Sequence, residues 1–546
     1  MASRKRQAAG FWLVSENVGR CTVAASLNSP VGDPARPEGR SARTGAGGWR
    51  GKRKPRSIAA AALAAMLLLT GPAATTATAA TPSPGASGIG DPIWPTTGNG
   101  GYCVERQWLS FDFAADLGSY NATSRLRLRA SQTLSQFDLD LLGPEVRAVE
   151  VDGKPAAWQT TPEGKLVITP PTPVREGATF TTTVTVFNTA PDLIKNPPTP
   201  ENLHNGLFHM GDFIELHNQP AGARRVLAVD DHPSAKAPTS VAITTSGAVN
   251  SVANGRLAST TTAGDRTTRV FDEPRPLATE LLQVGVGPFT VTHRRGPGGI
   301  DLRYALPSTQ SATILPQLDT TFPAAIEFLE RQLGPFPGRI AGTYATPTGG
   351  ALETQGLTWL NSGQLTPEGF PRNGTDSIIA HEITHEWFGD SVSPARWSDL
   401  WLNEGHARFY EWQWDEAHGH STVDEQMREA YRTHRSWLGK FGPIAAPDPA
   451  SFNNSEGRPF ASGAYEGGAL ALYALRQHVG AETFQRIERA WVTENHDKVA
   501  DTSKFIGTAS RVAGQDLGPF LRSWLYAAGT LPAMPGHLDW HADPTT

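Results

Sequence analysis

Between Tyr102 and about Arg295 the apolar positions fall in short runs with a period of two. Trp108-Leu109-Ser110-Phe111-Asp112-Phe113 and Leu126-Arg127-Leu128 alternate, and Thr179 to Phe187, Ser240 to Thr245 and Leu281 to Val286 continue the pattern. Gly, Pro, Asn and Asp separate the runs, and no helical stripe competes. Residues 101–295 are therefore predicted to form an antiparallel β-sandwich or saddle-like sheet. After Arg295 the texture changes. Leu302 to Ala305 and Arg339 to Ala345 read as strands, and Leu318 to Leu333 as a helix ended by Gly334-Pro335-Phe336-Pro337. From Asp376 onward helices dominate. Ile378, Ile379, Ile383 and Trp387 make an apolar stripe behind Asp376 as N-cap. A second helix starts near Asp399 and runs through Leu402, Ala407, Phe409 and Trp412. Gly389 and Ser393-Pro394 turn the chain between the two. The fold class is a multidomain α+β chain whose second, mainly helical domain spans 296–546.

The first 100 residues do not join these patterns. Residues 1–56 are Gly-, Ser-, Arg- and Ala-rich and read as a disordered extension or the product of an upstream start codon. Lys52-Arg53-Lys54-Pro55-Arg56 precedes the apolar run Ile58 to Leu69, and Ala77-Thr78-Ala79 follows as a small-x-small site. Residues 57–79 thus have the order of a secretory signal peptide, with too few strongly apolar residues for a membrane span. Residues 80–100 read as a Pro, Ser and Gly linker. The expected location is outside the cell. The whole chain of 546 residues carries a net charge of −5; without residues 1–79 the remainder holds 36 basic and 50 acidic residues. That balance speaks against nucleic acid or an anionic membrane as partner. With Cys21 in the leader, Cys103 is left as a lone thiol. It is read as a half-buried strand residue, since no catalytic context surrounds it.

Chemistry concentrates in His381-Glu382-Ile383-Thr384-His385 and Asn403-Glu404-Gly405. Histidines four apart on a helix share a face and can bind one zinc ion, with Glu382 beside it as proton acceptor. Glu404 as third ligand leaves the fourth position to water, the open kind of zinc site used in catalysis.

These residues, extended as His381 to Asp390 and Trp397 to Gly405, resemble the aminopeptidase N and leukotriene hydrolase family of gluzincin zinc peptidases. Gly349-Gly350-Ala351-Leu352-Glu353-Thr354-Gln355 is similar to the family's exopeptidase motif, and Tyr465-Glu466-Gly467-Gly468 to its Tyr-x-Lys-Gly element. Gln219-Pro220, Ala223-Arg224 and Asp230-Asp231-His232-Pro233-Ser234 with Lys236 resemble its N-terminal signature. The resemblance implies a β domain, then a thermolysin-like catalytic domain, in a short form without the C-terminal helical domain of longer members.

It further implies a zinc aminopeptidase that hydrolyses the first peptide bond of peptides with a free N-terminus. One Zn²⁺ per chain is held by His381, His385 and Glu404. Glu382 is the base, Tyr465 donates to the developing oxyanion, and Glu353, with Gln219, Gly350 and Ala351, binds the substrate's N-terminal end. Departures are Thr354 for Asn, Glu386 for Gln, His406 for an aromatic and Gly467 for Lys. His406 is expected to pack rather than ligate, and Asp399 is a candidate to orient a zinc histidine. Two further readings stay open: a catalytically silent zinc-containing peptide-binding protein, favoured by Thr354 and Gly467, and an epoxide hydrolase-like relative, which shares a Gln at the position of Gln219. Glu353 disfavours an endopeptidase.

Overall fold

The alternating runs assemble into an eight-stranded sheet in a computed structural model that describes residues 81–192, 205–247, 249–347, 350–366, 370, 374–451 and 461–544. The expected extension and signal peptide, and Gly349, lie outside the described residues. Across the sheet the strands run Arg256–Ala263, Arg266–Leu277, Ala237–Ser246, Tyr102–Phe113, Ser119–Ala130, Thr179–Thr189, Glu145–Val151 and Lys154–Pro155. Neighbours are antiparallel except Ala237–Ser246 and Tyr102–Phe113, which pair parallel with Leu109 opposite Val241. The period of two sends Leu109, Phe111, Leu126, Leu128, Val184 and Ile243 into the core, while Arg125, Arg127 and Arg129 line the outer face. Phe137, Leu139, Leu166 and Ile168 of one smaller sheet, and Ile214, Leu216, Val284 and Val286 of another, join the same core. The predicted strand at Leu281 to Val286 is shorter: Thr279–Leu281 is a 3₁₀ turn, and only Val284–Gly287 pairs.

Residues 81–100, read as a linker, are tied down. Ser83 N–H donates to Thr133 and Gly85 N–H to Gln136, and Asp91 accepts from Trp397 N–H and lies 3.1 Å from the His232 ring. Cys103 lies half-buried in its strand. It is disulfide-bonded, so the lone thiol is corrected; Cys21 lies outside the described residues.

The second part starts with a five-stranded sheet ordered Phe289–Arg295, Asp301–Pro307, Ile340–Thr346, Thr358–Asn361, Ala351–Leu352. Helix α1 (Ser311–Leu333) packs Leu318, Phe322, Ile326 and Leu329 beneath it. It starts at Ser311, earlier than the predicted Leu318, and holds Pro316 and Pro323 inside it. The helices that follow are α2 (Thr375–Thr384), α3 (Trp401–Ala417), α4 (Val423–Phe441), α5 (Gly468–Val479), α6 (Ala481–Glu494), α7 (Thr502–Ala513) and α8 (Gly518–Leu525). Gly374 caps α2 with φ 65°, in place of the expected Asp376. Asp376 lies in the first turn and accepts from the Trp414 indole at 3.1 Å. Ser393-Pro394 is not a turn either, since Val392–Pro394 pairs with Lys498–Ala500. Helices α3 and α5 touch through backbone: a Cβ on Gly405 would stand 2.7 Å from the Gly468 Cα. No helix among the described residues is long and apolar enough to cross a membrane.

Candidate active site

Helix α2 ends in the two histidines, and α3 lies against it with Glu404 in its first turn. His381 Nε2 and His385 Nε2 are 3.3 Å apart. Glu404 Oε2 reaches them at 3.4 and 3.3 Å. Each ring's other nitrogen is held from behind. His381 Nδ1 meets Glu411 Oε2 at 2.8 Å, and His385 Nδ1 donates to the Phe388 carbonyl at 3.0 Å. A proton on each Nδ1 turns both Nε2 lone pairs toward Glu404. Glu404 Oε2 is buried with no hydrogen-bond partner, a costly position for a carboxylate oxygen that a cation relieves. The three donors lie within 4.8 Å of one another. Two imidazoles and a carboxylate are a zinc donor set, so these residues fit the metal.

The fields in the site are strong because His381, Glu382, His385 and Glu404 are all buried. Burial pushes the Glu404 carboxyl up, but His385 and His381 outweigh it and hold it down at about 2. Burial disfavours a charged His381 ring, yet the Glu404 and Glu411 carboxylates raise it to about 9. A bound dication competes with those ring protons, so metal loading releases them. Glu382, next to the first ligand, is pushed up to about 8, chiefly by burial.

Glu353 follows the strand Ala351–Leu352 and is buried. It, Glu382 and His385 each bring a polar atom within 4.8 Å of the others. Gln219 arrives from the β domain and donates from Nε2 to Glu353 Oε1 at 2.5 Å. Gly350 and Ala351 lead into this corner: Asn361 N–H donates to Gly350, and Ala351 pairs with Leu360. Tyr465 sits in a π-helical turn, Gly463–Gly467, ahead of α5. Its ring stacks on His381 at 5.9 Å and lies under the Arg408 guanidinium at 5.5 Å. Burial and the carboxylates of Glu404, Glu353 and Glu382 hold the phenol well above its usual range.

Sequence reasoning chose the wrong orienting carboxylate. Asp399 accepts from the Thr502 N–H and hydroxyl and faces no zinc histidine. Glu411 does that work, backed by Arg408 at 2.7 and 2.8 Å. The signal was its place seven residues beyond Glu404, two turns along the same face of α3. His406 packs as expected: its Nδ1 donates to Leu402, and its ring stacks on Phe388 at 4.0 Å. The Thr354 hydroxyl donates to Leu357 within its own turn. A side chain on Gly467 would run into Trp437 and Ile444 at 2.8 and 2.9 Å.

A helix bearing both histidines and the base, with a glutamate ligand on the next helix, defines a gluzincin-type zinc peptidase domain. Residues 343–524 match the Peptidase family M1 domain. The M1 zinc metallopeptidase from Deinococcus radiodurans superimposes with a TM-score of 0.69 at 27% identity, over 82% of this chain and 98% of that one. A mutant of that enzyme bound to a Tyr-Ser-Ala substrate matches equally well, at 26% identity with the same TM-score, over 82% of this chain and 99% of that one. The probable aminopeptidase 1 of Sulfurisphaera tokodaii is 24% identical over 78% of this chain and 53% of its own length. The tricorn protease-interacting factor F2 of Thermoplasma volcanium is 26% identical over 58% of this chain and 41% of its own. The chain thus spans about half the length of these curated relatives. Residues 343–524 form a peptidase domain of the M1, aminopeptidase N type, and the chain as a whole is similar to M1 zinc metallopeptidases.

Proposed function

We propose that the protein is a zinc aminopeptidase that acts outside the cell and removes the N-terminal residue from peptides. One observation carries the reading: a buried carboxylate, Glu353, stands beside Glu382 and His385 and is held there by Gln219. A free peptide N-terminus is largely a cation at neutral pH, and a carboxylate shielded from water binds it strongly. With the Gln219 donor spent on Glu353, its amide oxygen is left to accept from the same ammonium. The Glu353 carboxylate lies within 4.8 Å of a His385 nitrogen, and an amine held so near the metal ligands suits cleavage after the first residue.

His381, His385 and Glu404 would hold a zinc ion, which when bound would supply Lewis-acid polarisation of a carbonyl and a lowered pKa for a water molecule. Glu382 takes a proton from the attacking water and returns it to the leaving amine. Its raised proton affinity suits both transfers near neutral pH. Tyr465 keeps its proton at any working pH and donates it in a hydrogen bond to the carbonyl oxygen as charge develops there. The proposed location rests on the leader pattern of residues 57–79, and the acidic balance of the remainder suits peptides rather than nucleic acid. The departures at Thr354 and Gly467, which favour a silent binder, are absorbed by packing and remove no ligand, base or phenol.

The test is hydrolysis of fluorogenic aminoacyl amides beside their N-acetylated copies by the zinc-loaded protein. Turnover of the free-amine set alone, lost in Glu382→Gln, is expected. Equal cleavage of acetylated substrates sinks the exopeptidase reading, and a zinc-loaded protein inert on every peptide supports the silent binder.

A further inference from the structure

Glu386, the residue after the second zinc histidine, is buried. Its Oε1 accepts from the Gly356 N–H at 2.7 Å. Gly356 closes the loop that begins at Glu353, so this bond joins the zinc helix directly to the segment carrying the amine-binding carboxylate. Two other contacts hold the loop, both from the β domain: Gln219 to Glu353, and Asn254 Nδ2 to the Gln355 carbonyl at 2.9 Å. Gly356 has φ +70°, a left-handed conformation that glycine tolerates and other residues rarely adopt. The second oxygen of Glu386 lies 3.8 Å from the Arg275 guanidinium of the β domain. Arg275 is itself fixed by Asp497 at 3.0 and 2.9 Å. Close by, Lys236 donates to the carbonyls of Asp390 and Ser391 at 2.7 and 2.9 Å, clamping the turn that follows the zinc helix.

We propose that Glu386 is a positioning residue that sets the spacing between the Glu353 carboxylate and the zinc ligands by holding the Gly356 amide. The inference rests on the aminopeptidase reading. It assigns a specificity role to a side chain that touches neither metal nor substrate. The acceptor oxygen is the active part, and the charge serves mainly to hold Arg275. Gln at this position keeps the acceptor; Ala loses it and leaves a buried N–H unpaired.

The experiment compares Glu386→Ala and Glu386→Gln with the wild type, all zinc-loaded. In Glu386→Ala, KM for aminoacyl amides should rise about tenfold or more, with kcat changed far less. Zinc content should be unchanged, preference for free-amine over acetylated substrate should fall, and the Gly356 amide should exchange faster with deuterium. Glu386→Gln should restore KM and the slow exchange. Wild-type KM and exchange in a folded Glu386→Ala protein overturn the proposal. So does a Glu386→Gln protein as impaired as Glu386→Ala, which would make the charge the active part. If Glu386→Ala does not fold, Glu386→Leu, which also lacks the acceptor but fills the space, takes its place under the same criteria. A wild type inert on free-amine amides refutes the aminopeptidase reading instead, while the exchange at Gly356 still tests the latch.

Discussion

Removing Glu411 should weaken zinc binding without touching a zinc ligand. Its Oε2 holds His381 Nδ1 at 2.8 Å, which fixes the ring's tautomer and rotation and raises the basicity of the opposite nitrogen. Partners of this kind are worth about 10–100-fold in metal affinity, or ~1.4–2.7 kcal/mol. Glu411→Ala should fall toward the upper end. It also strips Arg408 of both close contacts at 2.7 and 2.8 Å, leaving Glu466 at 3.7 Å as its nearest anion. Glu411→Gln keeps an acceptor for the ring and should fall at the lower end. The assay is competition for zinc against a chromophoric chelator at constant pH, with Asp399→Asn as control. Asp399 bonds to Thr502 rather than to a histidine, so the control should bind zinc like the wild type. Wild-type affinity in Glu411→Ala, or an equal loss in Asp399→Asn, refutes the assignment.

Three shorter predictions use other parts of the site. Tyr465→Phe should lower kcat by about 10²–10³-fold with zinc content unchanged, since it removes one donor to the oxyanion; a loss confined to KM would count against that role. Restoring the family's lysine in Gly467→Lys should destabilise the fold by roughly 1–3 kcal/mol, because Trp437 and Ile444 fill the space, and thermal melts should show a lower Tm. Burial raises the Asp399 carboxyl from 3.8 to about 6, so the folded chain holds that proton more tightly than the unfolded one. The stability it contributes is full below pH 4 and is lost as pH rises through 6, on the order of 3 kcal/mol. Asp399→Asn keeps the acceptor for Thr502 and should gain on the wild type in urea midpoints between pH 4.5 and 7; a gap that does not change with pH contradicts this.

What could be read from the chain alone was what depends on near neighbours in sequence. The pairing of His381 with His385 follows from helical pitch, and the inward set Leu109, Phe111, Leu126 and Leu128 from the strand period. The misses are contacts whose partners lie far along the chain. Nothing near Ala237 announces that its strand runs parallel to Tyr102–Phe113. The choice between Asp399 and Glu411 depends on the rotation of α3, because Asp399 precedes that helix in a 3₁₀ turn and so faces α7. Ser393-Pro394 reads as a turn by local rule, yet Pro394 sits in a strand paired across a long sequence distance. Glu353 and Gln219 were found by motif, but the bond between them crosses from one sheet system to another and shows only in three dimensions.

The crossing at Gly405 and Gly468 has a consequence for how this protein can change. Glu404 is one residue before the first glycine and Tyr465 three before the second, so the gap between metal ligand and phenol is set by two main chains in contact. Side-chain drift in the surrounding core can alter stability and pocket shape without retuning that gap. A laboratory evolution campaign could therefore randomise the neighbouring apolar positions freely, whereas a single added methyl at either glycine would pry the two helices apart.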